Sequence, residues 1–254
     1  MFSDHKIPLP DKDAYLRRIG LEGAELPPTL DSLNRLMMAQ LTHVPFENMD
    51  LFRNKTCPDL SVPVLFERIV NQNRGGYCFE LNSLFYTLLQ ALGFEVYPVA
   101  CRILYGHGLF MPLSHRASIV TIDGMKYFVD VGYGGPSAHC AVPYEGEVNT
   151  FFIRQNAGIT ELRRNEDGKD VLVMEYTDVP FDPVDFVALN YYVAMGPRAF
   201  FQMMPIINLT TPTGSKSING DVYRCHDNGE VTERKLASDD ELLQTLKQEF
   251  GICL

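Results

Sequence analysis

Asn73-Arg74-Gly75-Gly76-Tyr77-Cys78-Phe79-Glu80 sets two glycines ahead of a cysteine from which an amphipathic pattern starts. Leu81, Leu84, Phe85, Leu88, Leu89 and Leu92 recur at three- and four-residue steps until Gly93, which predicts a helix beginning at Cys78. The unpaired N–H groups and the dipole of a helix N-terminus favour negative charge, hence the thiolate, which is the nucleophilic form of cysteine. Arg74 adds a cation nearby, and Gly75-Gly76 permit positive φ and close approach to the sulfur. A buried structural cysteine is the ordinary alternative.

Working outward, the segment before Cys78 is helical. Asp11 caps a short helix through Tyr15, Leu16 and Ile19; Leu30, Leu33, Leu36, Met37 and Leu41 stripe a second; Val62, Leu65, Phe66, Ile69 and Val70 outline a third. A linker holding Phe46-Glu47-Asn48-Met49-Asp50 separates the last two. Residues 1–93 therefore read as a helical bundle. At Phe94 the period changes to that of strands: Glu95 to Tyr105, a Gly106-His107-Gly108 loop, then two runs around Asp123-Gly124.

That Asp-Gly pair is a strong hairpin signal. A two-residue turn sets Ile122 opposite Met125, Ala117 opposite Asp130 and His115 opposite Gly132. His115, Ala117, Phe128 and Asp130 then share one face, with His115 and Asp130 as diagonal neighbours roughly 7 Å apart at the backbone. A slip of one residue would separate them. Short strands over Phe151 to Arg154, Ile159 to Arg164 and Val171 to Thr177 imply a small barrel or sandwich. A helix follows from Asp182 to Gly196, then strands between Ala199 and Lys235, and a last helix capped by Ser238-Asp239-Asp240-Glu241.

The net charge of −10, with no Lys/Arg-rich run, argues against nucleic acid or an anionic membrane as partner. The six cysteines are scattered without C-x-x-C spacing, and neither a signal peptide nor a long apolar run is present, so the expected location is the cytoplasm. His139-Cys140 and the remaining cysteines lack metal-ligand spacing, so no metal is expected.

A thiol at a helix start with a His–Asp pair on one hairpin face is the constellation for acyl transfer through a thioester. Cysteine attacks, histidine moves protons, and the carboxylate holds the imidazole. Thiol hydrolases and transglutaminase-like enzymes use the same set on amides.

Arg74-Gly75-Gly76-Tyr77-Cys78-Phe79-Glu80 resembles the active-site motif of the arylamine N-acetyltransferases. Val44-Pro45-Phe46-Glu47-Asn48, the His115 strand, Val129-Asp130-Val131-Gly132-Tyr133-Gly134 and Ser238 to Leu243 fall in that family's order. The resemblance implies an α+β fold with a cysteine-protease-like Cys-His-Asp site: an N-terminal helical bundle over 1–93, a central β-barrel over 94–197 and a C-terminal α/β lid over 198–254. It implies Cys78, His115 and Asp130 as the triad. Acetyl-CoA or another acyl-CoA would be the donor, and an arylamine, hydrazine or arylhydroxylamine the acceptor. The loop Gly132, Tyr133, Gly134, Gly135 is expected against the CoA pyrophosphate. Phe46, Tyr133 and Phe201 are candidates for the amine pocket, with core packing the simpler reading of Phe46 and Phe201. Glu47 and Arg74 are expected to pair beneath the site. The chain lacks the long insertion between barrel and lid found in mammalian members, and Gly135 stands where some relatives carry a charge.

Overall fold

A computed structural model describes residues 3–106, 111–197 and 199–254. Helices α1 (Lys12–Arg18) and α2 (Leu30–His43) begin at Asp11 and Thr29, whose side chains accept the N–H groups of Ala14 and Ser32. The segment read as a linker is ordered instead. Phe46–Glu47 form a two-residue strand, β1, and Met49–Asn54 a short helix, α3. Neither is long enough to leave a periodic signature. The third apolar stripe begins as α4 (Val62–Phe66) and widens into a π-helical turn over Glu67–Asn71. Helix α5 (Cys78–Ala91) follows and is buried along nearly its whole length. Each fully buried leucine on it is worth about 1.5–3 kcal/mol relative to exposure.

Next come β2 (Glu95–Ile103), β3 (His115–Ile122), β4 (Met125–Val129), two short strands β5 (Val142–Pro143) and β6 (Glu147–Val148), and the meander β7 (Phe151–Asn156), β8 (Ile159–Glu166) and β9 (Lys169–Tyr176). They form one antiparallel sheet in the order β5-β4-β3-β2-β9-β8-β7-β6, whose ends curl toward each other into a nearly closed barrel. Of the expected Gly106 to Gly108 loop, His107 and Gly108 lie outside the described residues.

Asp123 and Gly124 both adopt positive φ, the two-residue turn whose twist suits a hairpin, and Ile122 pairs with Met125 through to Ser118 with Val129. Alternation then divides the strands between two cores. Val99, Cys101, Ala117, Ile119 and Phe128 fill the barrel, while Ala100, Val120 and Val129 pack with the helices around α5.

Helix α6 (Phe186–Met195) lends Phe186 and Ala194 to the helical core. Residues 199–205, expected to be extended, hold a 3₁₀ turn at Phe200–Gln202, and strands resume only at Ile206. Asn48 explains this, because its side chain donates to the carbonyls of Phe201 (2.8 Å) and Met204 (2.9 Å) and accepts the Ile206 N–H (2.6 Å), holding the segment folded back. Four strands, β10 (Ile206–Thr211), β11 (Gly214–Asn219), β12 (Val222–Asp227) and β13 (Glu230–Lys235), form a second sheet. Helix α7 (Asp239–Phe250) packs a third cluster with it through Leu242, Leu246 and Phe250. Strand β1 adds to that sheet beside β10 and also bridges Phe46 to Gly76, tying the C-terminal sheet to the head of α5.

Candidate active site

Two close backbone contacts fix the approach to Cys78: the Glu47 N–H donates to the Gly76 carbonyl (2.9 Å), and the Gly76 N–H to that of Pro45 (3.4 Å). The glycines serve this approach rather than a left-handed turn, since neither has positive φ. A Cβ on Gly75 would lie 2.0 Å from the Pro45 carbonyl oxygen, and one on Gly76 2.8 Å from Glu80 Cβ. Gly75→Ala should therefore force β1 from α5 and lower the melting temperature by about 5–10 °C, equivalent to roughly 2–3 kcal/mol. A thermal melt reading no shift would mean that the two segments separate freely.

Beneath the helix start lies a buried charge network. Arg74 Nε and Nη2 stand 2.9 and 2.8 Å from Glu47 Oε1, Arg68 Nη2 approaches the same oxygen at 3.1 Å, and Asp50 pairs with both arginines. Arg74 is thus committed to carboxylates, because the buried Glu47 requires compensation. Glu80 accepts the Tyr77 N–H (3.1 Å) and lies 3.4 Å from Arg68 Nη1. Burial outweighs the pull of Arg68 and raises Glu80 to about pKa 7. For Arg68 burial acts downward, but Glu80, Glu47 and Asp50 hold the guanidinium above its ordinary value.

Above the network, Cys78 occupies the first position of α5, with its Sγ 4.0 Å from the Ser114 carbonyl. His115 and Asp130 lie at the other end of the β3–β4 hairpin from its turn, and His115 Nε2 is 2.6 Å from Asp130 Oδ2. His115 Nδ1 is buried and has no hydrogen-bond partner among the described residues. Burial alone would push the imidazole pKa down, but the charge and hydrogen bond of Asp130, with a contribution from nearby Cys78, raise it to about 10. Burial likewise opposes ionisation of Asp130, and His115, Asn82 and the Gly132 N–H overcome it, holding the carboxyl below its usual range.

Asn82 is the residue that the sequence did not mark. It lies one turn beyond Cys78 on α5, buried, and its amide reaches Asp130 Oδ1 (2.8 Å) and the Arg116 carbonyl (2.6 Å). The available signal was a carboxamide set among the apolar positions of a helix buried along nearly its whole length, where an unpaired polar group is costly.

The loop after β4 packs directly on the helix head. A Cβ on Gly132 would meet Asn82 Nδ2 at 2.8 Å and Cys78 Cα at 2.9 Å. Tyr133 stacks edge-on against His115 with centroids 5.7 Å apart, and a Cβ on Gly135 would intrude to 2.5 Å from the Tyr133 ring. From this loop a cleft of about 470 Å³ opens between the barrel and the C-terminal sheet. Phe46, Tyr133, Gly134 and Gly135 line it. Phe201 instead packs between Phe46 and Tyr77, at 6.0 and 5.6 Å.

The N-acetyltransferase family profile matches residues 29–254. Human arylamine N-acetyltransferase 1 is 28% identical over 280 aligned positions, spanning 96% of this chain and 94% of the human one. In fold, the Salmonella typhimurium arylamine N-acetyltransferase superposes with a TM-score of 0.88 at 24% identity, covering 95% of this chain and 90% of that one. The Mycobacterium marinum arylamine N-acetyltransferase, solved in complex with CoA, gives a TM-score of 0.86 at 25% identity, covering 95% and 93% of the two chains. With the profile spanning most of its length, this chain belongs to the arylamine N-acetyltransferase family, a family of acyltransferases.

Proposed function

We propose that this protein transfers an acetyl or related acyl group from an acyl-CoA to an arylamine, arylhydrazine or arylhydroxylamine, with Cys78, His115 and Asp130 as the working triad. The observation carrying this reading is the disposition of the His115 ring: Nε2 is engaged by Asp130, and unpartnered Nδ1 remains for the Cys78 thiol. The Cys78 thiolate attacks the donor thioester carbonyl. The N–H groups of Cys78 and Phe79, at the first two positions of α5, are our assignment for holding the developing oxyanion. As the tetrahedral adduct collapses, the C–S bond to CoA breaks, and the leaving sulfur takes the His115 proton. The acceptor amine then attacks the Cys78 thioester, gives its proton to His115, and the Cys78 sulfur leaves.

The cleft supports a polyanionic donor. Arg164, His139 and His226 line it, whereas no Asp or Glu is among its described lining residues, in a chain of net charge −10. The Gly132–Gly135 loop connects the cleft to Cys78 and is our assignment for the pyrophosphate segment. Phe46 and Tyr133, backed by Phe201, supply apolar surface for an aromatic acceptor, and Glu47 and Arg74 support the helix head from below. Six free cysteines suit a reducing compartment, and we assign the protein to the cytoplasm. Among the described residues no helix is long and apolar enough to cross a membrane.

Intact-mass spectrometry tests the reading. Incubation with acetyl-CoA should add one acetyl group, mapped to the Cys78 peptide, absent in Cys78→Ala and discharged by an aniline or hydrazine. No adduct, with turnover of a peptide amide instead, would reassign the triad to a thiol hydrolase.

A further inference from the structure

Asn82 makes contacts that no other described side chain near the site combines. It projects from the helix that carries Cys78. Its Nδ2 donates to the Arg116 carbonyl, next in the chain to His115, and to Asp130 Oδ1; its Oδ1 accepts the Val131 N–H at 3.0 Å. The amide orientation is determined, because exchanging N and O would face its NH₂ with the Val131 N–H and its oxygen with two acceptors. Asp130 Oδ1 therefore receives two donors, Asn82 and the Gly132 N–H (2.9 Å), while Oδ2 is left to His115.

We propose that Asn82 is a positioning residue: it clamps the Cys78 helix to both arms of the hairpin and, by occupying Asp130 Oδ1, dictates which carboxylate oxygen serves His115. The inference rests on Cys78, His115 and Asp130 acting together as set out above. An unclamped carboxylate could rotate about its terminal torsion, and β3 could slide against α5, each spoiling the alignment of His115 with the sulfur. Displacements of this kind impair proton transfer strongly. The titratable groups bordering the clamp are Cys78 on α5, His115 on β3, Cys101 on β2, and Asp130 and Tyr133 after β4. The Arg116 guanidinium points to the other face, toward Ser83 and the Phe186 ring.

Asn82→Asp tests this by pH. The new carboxyl is isosteric and still accepts from Val131, but when ionised it offers Asp130 Oδ1 a like charge instead of a donor. When protonated, its O–H restores a donor. The kcat/KM for acetyl transfer, measured at temperatures where circular dichroism shows a folded chain, should be about 100-fold below that of the unsubstituted protein at pH 8 and within about tenfold of it at pH 5.5. Asn82→Ala, with no proton to gain, should be slowed at both pH values by one factor. In acetyl transfer both variants should lose kcat while the acceptor KM changes by less than about threefold. A pH-independent ratio for Asn82→Asp, unsubstituted rates in Asn82→Ala, or failure of Asn82→Asp to fold at any pH would reduce Asn82 to packing and overturn the proposal. Failure of the acyl-transfer reading would appear separately, as no acetyl adduct on the unsubstituted protein.

Discussion

Asp130→Asn should leave the chain folded and lower kcat/KM for acetyl transfer by about 10³–10⁴-fold, the scale seen when the orienting carboxylate of a catalytic triad becomes an amide. The direction follows from the hydrogen bonds around the carboxylate. Oδ1 is held by two donors, the Asn82 amide and the Gly132 N–H, so the carbonyl oxygen of the new amide must occupy that position. Its NH₂ then falls where Oδ2 now meets His115 Nε2. A donor there turns Nε2 into an acceptor and moves the ring proton to Nδ1, the nitrogen left for the sulfur. A neutral imidazole protonated at Nδ1 cannot take the proton of the Cys78 thiol. Steady-state kinetics with acetyl-CoA and an aniline measure the loss, and near-normal turnover would remove Asp130 from the triad.

The same substitution should also change how stability responds to pH. The His115 pKa is raised to about 10, above the ordinary 6.5, so its pairing stabilises the fold fully below about pH 6.5 and progressively less as pH climbs through 10. Asp130 is depressed, so its contribution is present above about pH 4 and is lost as the solution is acidified through its folded value. The difference in melting temperature between the unsubstituted protein and Asp130→Asn should therefore be widest near pH 5–6 and narrow toward pH 10.

What the sequence made legible were features written in local periodicity. The leucine stripe located α5 and with it Cys78, and the Asp-Gly turn fixed the register that brings His115 and Asp130 to one face. What it concealed depends on contacts between distant segments. Phe46–Glu47 is a strand only because β10 lies on one side and Gly76 on the other, and two residues carry no pattern of their own. Gly75 is required by the Pro45 carbonyl, thirty positions away, so the glycine signalled a close approach without naming its partner, and the positive φ expected of it does not occur. Arg68 was passed over among the apolar positions of the third stripe, whereas in space it pairs with Glu47, Asp50 and Glu80. Asn82 was silent because its partners, Arg116, Asp130 and Val131, are adjacent only after the hairpin docks on the helix.

Two causes can make the Cys78 sulfur nucleophilic, the helix start and the His115 imidazolium, and His115→Gln separates them. In the unsubstituted protein the ring keeps its proton to about pH 10, so a thiolate opposite Nδ1 has a cationic partner throughout the neutral range. Alkylation of Cys78 by iodoacetamide should then change by less than about threefold between pH 8.5 and 6. Glutamine preserves a polar side chain but supplies no charge. If the imidazolium is the dominant cause, alkylation in His115→Gln should follow an ordinary thiol of pKa about 8.5 and fall roughly 100-fold over the same interval. The exposed Cys253, read in the same digest, corrects for reagent loss. A plateau that survives in His115→Gln would assign activation to the free N–H groups and dipole of α5, leaving His115 only the proton transfers to CoA and from the amine. The two results predict different acceptor chemistry. A sulfur held by the helix alone would still be acylated in His115→Gln and stall with the thioester on Cys78, whereas one dependent on the imidazolium would fail at the first step.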